Sequence, residues 1–210
     1  MKNGQRARNN WQTPPRNQLE GNLRPHDAVP SFFEHRRHRA SGRAIAMEIR
    51  NFKDMYIAEV QELASVVRQL GECSPRVAKA ASHPALKQVI LDNREAAETQ
   101  KERLEAILEA HGAEVEAYID QAMQAMLYET NKLLPMLKGE DLRDAGLIAS
   151  MQRLKHYEIA AYGTAAALAG QLKLCDEQDY LLESLEEEKL ADIELTTIAE
   201  REVNPDALTA

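Results

Sequence analysis

The chain has 210 residues, of which 44% are hydrophobic, 29% charged and 5% aromatic, and its net charge is −8. Nine Gly and eight Pro are too few for the tight turns of a sandwich or barrel, and so few aromatics leave Ala, Leu, Ile, Met and Val to build the core, which favours helices. No apolar run approaches the roughly 20 residues of a membrane-spanning helix, so no membrane partner is expected, and the start MKNGQRARNN lacks the apolar stretch of a secretory signal. Two cysteines, Cys73 and Cys175, without CxxC spacing make no disulfide framework, and a cytoplasmic location is the expectation.

Charge divides the chain unevenly. Residues 1–44 hold nine Lys and Arg against Glu20, Asp27 and Glu34, a net +6, so the other 166 residues carry −14. Four of the eight prolines (Pro14, Pro15, Pro25, Pro30) lie in the same stretch, which has little periodic apolar content. Such a segment buries too little surface to offset its ordering entropy, so residues 1–46 are expected to be a disordered basic tail. Because MEIRNFKDMY reads like a natural start at Met47, an upstream-extended gene start is the alternative. The run HRRHRASGR (35–43) is either an electrostatic arm for nucleic acid or anionic lipid, or a solvated linker.

From residue 47 the sequence reads as helices. Between Ile49 and Leu70, apolar residues recur at Phe52, Met55, Tyr56, Val60, Leu63, Val66, Val67 and Leu70, one face of a helix, with Gly71 and Ser74-Pro75 predicting a break. Ser82-His83-Pro84 looks like an N-cap followed by Pro in the first turn. The helix it opens carries Leu86, Val89, Ile90, Ala97, Leu104, Ile107 and Leu108 and stops at Gly112. A third segment, 114–137, is rich in Met and Leu and reads as core with a share of dimer contact. A fourth helix starts at Asp141 or Asp144 and runs to Leu172. A last one, capped by Asp176, reaches Ile198, with 204–210 as a flexible end. Four long helices plus a short one in the long crossover predict a bundle.

Polar residues at core spacing mark the candidate site. On the fourth helix Ile148, Met151, Lys155, Glu158 and Tyr162 share one side, and on the last helix Leu181, Leu185, Glu188, Asp192 and Leu195 do the same. Buried carboxylates are costly unless paired or metal-bound, and bundles that house two metals use inward Glu and His from all four helices. Glu158, Glu188 and Asp192 are therefore candidate metal ligands. The competing reading makes them solvated residues, since Glu186-Glu187-Glu188 cannot all face inward. His156 sits beside the inward face. No HExxH, His-x-x-His, phosphate loop or Ser/His/Asp arrangement occurs.

LRDAGLIASMQRLKHYEIAAYGTAAALAGQL followed by LLESLEEEKLADIELTTIA, with the anchors Gln69-Leu70, Leu86 and QKERLEAIL, resembles the ferritin-like YciE/YciF family of bacterial stress proteins over residues 47–203. The resemblance implies an all-α, ferritin-like four-helix bundle, usually dimeric. It also implies a two-metal carboxylate and histidine centre for iron or manganese. Of the family's ligand positions, Glu158, Glu188 and Asp192 are matched. The chain departs from the pattern at Val67, where the family has Glu, at Asn93 and Ala96 within the family's HLEET string, and at Lys155, where it has EHYE. Glu59 and Glu62 lie one to two turns from Val67, and Glu95 and Glu98 at the edge of the apolar stripe, so none of the four replaces a lost ligand.

These departures make a degenerate metal centre, with no cofactor, the leading expectation: a non-enzymatic stress protein, expected as a homodimer. In the family geometry Lys155 faces Glu158, Glu188 and Asp192 as an internal counter-ion, or else it snorkels to solvent. The alternatives are a di-iron or dimanganese peroxide-scavenging oxidoreductase and a protein that binds DNA through the basic tail.

Overall fold

A computed structural model describes residues 48–116 and 118–209. Every described residue belongs to one compact unit within residues 44–210. The readings made for residues 1–46 lie outside the described residues.

Four long helices form the bundle: α1 (Phe52–Ala80), α2 (Pro84–Ala110), α4 (Glu140–Leu172) and α5 (Cys175–Ile198), with the shorter α3 (Gln121–Leu133) in the crossover. No strand occurs among the described residues, and no helix among them is long and apolar enough to cross a membrane. α1 pairs with α2 and α4 with α5, while α1 also packs on α4 and α2 on α5. Contacts at one end set the directions. Tyr56, near the start of α1, meets His111 just after α2 and Glu177 at the start of α5. Neighbouring helices in the ring are thus antiparallel, and α2 and α4 run the same way. A connection between two helices of like direction has to travel back along the bundle, and a 27-residue helix is about 40 Å long at 1.5 Å per residue. Residues 111–139 make that return, with Gly112 (φ 64°) and Gly139 (φ 90°) supplying left-handed turns at its two ends.

Local details depart from the sequence reading for identifiable reasons. α1 does not break at Gly71 or Ser74-Pro75 and continues to Ala80 with Pro75 inside it. Proline forgoes one backbone hydrogen bond, and tertiary packing on both sides of it, at Val67 and Ala78, holds the helix together. The side chains at 82–83 do not cap α2; Asp144 of α4 does, accepting from Ser82 N (2.9 Å) and His83 N (2.7 Å). Asp144 therefore caps another helix instead of starting its own, which begins at Glu140. Asp176 does not cap α5 either, since the helix begins at Cys175 with no side-chain cap.

The Met and Leu stripe of the third segment is mostly core of its own chain. Met123 and Leu127 are buried against Val66 and Leu154, while Tyr128 and Met136 stay exposed. α-Helix in this segment spans 121–133, opened by Asp120, whose side chain accepts from Met123 N, and a single 3-10 turn, Leu134–Met136, follows it. Beyond Ile198 the backbone widens into a π-type turn, Ala199–Val203, that buries Val203. Residues 204–209, expected to be a flexible end, continue as α6 (Asn204–Thr209) against α4.

A polar centre inside the bundle

The inward spacing read from the sequence places Lys155 and Glu158 of α4 and Glu188 of α5 together in the interior, with only 7%, 2% and 3% of their surface exposed. Lys155 Nζ donates to Glu188 Oε2 at 2.5 Å. It also lies 2.9 Å from Glu158 Oε2, so one ammonium is ion-paired with both carboxylates. Lys155 therefore does not snorkel to solvent. Burial by itself would lower the Lys155 pKa, but the Glu158 and Glu188 carboxylates outweigh it and raise the pKa, keeping the amine charged. Burial pushes the Glu158 pKa up against the pull of Lys155, and the nearby Glu188 carboxylate pushes it the same way.

Gln100 of α2, which the sequence reading passed over, completes the centre. It is fully buried, and its amide nitrogen donates to Glu188 Oε1 (2.8 Å) and Glu187 Oε2 (3.0 Å). Its carbonyl accepts from the Tyr162 hydroxyl at 3.2 Å, and burial raises the pKa of that phenol well above its usual value. Arg103, one turn further along α2, reaches Glu187 (2.8 Å), Glu183 (3.0 Å) and Ser184 (3.2 Å). A continuous network thus ties α2, α4 and α5 through Arg103, Glu187, Gln100, Glu188, Lys155 and Glu158. The available signal was register: Gln100 lies three residues after Ala97 and four before Leu104, squarely on the apolar stripe.

The remaining predicted positions fall outside the network. Asp192 is half-buried, with Oδ2 3.5 Å from the exposed His156 and Oδ1 without a partner. Val67 is packed in the apolar core with Leu63, Tyr162 and Ala166. Asn93, its buried amide nitrogen unpaired, lines a cavity of about 50 Å³ beside Lys155 and Glu158. Glu95 and Glu98 are exposed. Glu59 and Glu62 instead line a cleft of about 160 Å³ between α1 and α4 with Asp120 and Tyr157. Burial raises the pKa of both, and Glu59 and Asp120 push Glu62 further.

A two-metal centre needs carboxylate and imidazole donors turned inward from all four helices. Here both oxygens of Glu188 already accept hydrogen bonds from the protein, an ammonium stands between Glu188 and Glu158, and α1 and α2 contribute Val67 and Gln100. Among the described residues no group of three or more His, Cys, Asp or Glu side chains is disposed to hold a metal ion. The side chains present do not fit the two-metal group that the fold implies.

Fold and interior together define a ferritin-like, all-α four-helix bundle protein with an ion-paired polar centre. Residues 51–208 match the family model described as Domain of unknown function (DUF892). Protein YciF of Escherichia coli K12 is 34% identical over 162 residues, covering 77% of this chain and 98% of that protein. A crystal structure of the E. coli stress protein YciF superposes with a TM-score of 0.70 at 34% identity, covering 74% of this chain and 99% of that one. The YcfI structure from Rhodopseudomonas palustris also gives 0.70, at 26% identity, over 73% and 98%. The chain belongs to the DUF892 family of YciE/YciF proteins.

Proposed function

We propose that this chain is a stress-response member of the YciE/YciF family that works without enzymatic turnover, its two-metal centre having degenerated into a fixed polar core. The observation that carries the reading is the saturation of Glu188: Gln100 holds one carboxylate oxygen and Lys155 the other. A ligand that bridges or chelates metals in an oxidoreductase needs those lone pairs open. The stress part of the reading draws on the E. coli stress protein YciF, which this chain matches over almost that protein's entire length.

The test is metal content. Protein produced in medium supplemented with iron and manganese, then analysed by plasma mass spectrometry, should carry far less than one transition metal per chain. A content near two per chain overturns the reading in favour of a di-iron or dimanganese peroxide-scavenging oxidoreductase.

A further inference from the structure

We propose that Glu158 and Glu188 form a cation site that the chain fills with its own side chain, Lys155 Nζ being the resident cation. This rests on the reading of the centre as metal-free and adds what occupies it. Three observations converge. The ammonium sits within 2.5 Å of one carboxylate and 2.9 Å of the other, joining α4 to α5. All three side chains are buried, so water cannot screen the two acids from each other. The other neighbour of Glu188 in the network, Gln100, is a neutral amide, which hydrogen-bonds the carboxylate without cancelling its charge.

Lys155 is thus the only cation that any described contact brings to Glu158 or Glu188, Arg103 being engaged with Glu183 and Glu187. Its place in the sequence fits the role. Lys155 stands three residues before Glu158 on α4, so the cation and one of its two acids share a helix face while Glu188 comes from α5. The site is built for one monovalent, ammonium-sized cation delivered along an aliphatic stem. A transition metal, which needs an open coordination shell, is the wrong occupant.

The experiment uses full-length protein and thermal unfolding. Lys155→Met keeps the stem volume but removes the charge, and should lower the melting temperature by about 10 °C, the scale expected when one member of a buried pair is deleted in a domain of this size. Adding Glu188→Gln to Lys155→Met removes one negative charge as well and should recover most of that loss. This double variant also keeps the test decisive if the single variant does not fold. Lys155→Ala leaves a space shaped like the missing stem, which n-propylammonium chloride should fill, raising the melting temperature where equal tetramethylammonium chloride does not.

A single variant that melts with the parent, a double variant no better than the single, or equal response to the two salts overturns the inference. A parent that holds stoichiometric transition metal overturns the underlying reading of the centre. A metal-free parent with an indifferent Lys155→Met variant overturns this inference alone.

Discussion

Replacing Gln100 with Leu tests whether the polar centre is a connected network. The substitution nearly conserves volume, so little cavity is created, and its effect falls on hydrogen bonds. Three are lost: the two donated by the Gln100 amide to Glu187 and Glu188, and the one it accepts from Tyr162. Glu187 keeps Arg103, but the fully buried Tyr162 hydroxyl and one oxygen of the buried Glu188 lose these partners. An unpaired buried polar group costs about 1–3 kcal/mol, more when charged. The expected loss is therefore about 3–5 kcal/mol, or roughly 10 °C in melting temperature for a domain of this size. Urea unfolding followed by far-UV circular dichroism measures it directly, with an unchanged urea slope showing that the unfolded reference has not moved. A loss below about 1 kcal/mol would show that these bonds contribute nothing and would refute the network.

Two further expectations concern other parts of the bundle. Asp144→Ala strips the carboxylate that receives Ser82 N and His83 N; it should cost about 2–4 kcal/mol and loosen the first turn of α2 in hydrogen exchange, and an exchange pattern like the parent's would refute the capping role. In the cleft between α1 and α4, the raised pKa values of Glu59 and Glu62 mean that the folded state holds protons there which the unfolded chain has released. Stability from this pair is full below the ordinary carboxylate value of 4.5 and is lost as pH rises through the raised values. Both side chains are partly exposed, so solvent screening limits the effect: Glu59→Gln with Glu62→Gln should gain at most about 1 kcal/mol at pH 7 and nothing near pH 4. An equal gain at both pH values would refute the electrostatic cause.

The four-helix class, the inward faces of α4 and α5, and the placement of Lys155 and Glu158 on one face of α4 were readable from the residues because helical periodicity is local. Residues three and four apart share a face whatever the helix packs against. The bundle's core at Val60, Leu63, Leu86, Leu104, Leu147 and Leu195 follows from the same rule.

The tertiary structure decided whatever depends on a partner from another helix. Gln100 is an ordinary helix residue until α5 brings Glu187 and Glu188 against it. Asp144 reads as the start of its own helix until α2 begins beside it, and Pro75 reads as a break until core contacts on both sides hold the helix through it. The Met and Leu stripe of α3 illustrates the same limit. Its amphipathic period says that a face must be covered, but only packing on Val66 and Leu154 shows that the chain covers most of it itself. Periodicity determines which side of a helix is buried, and the charge and shape of the facing helix determine what that burial does.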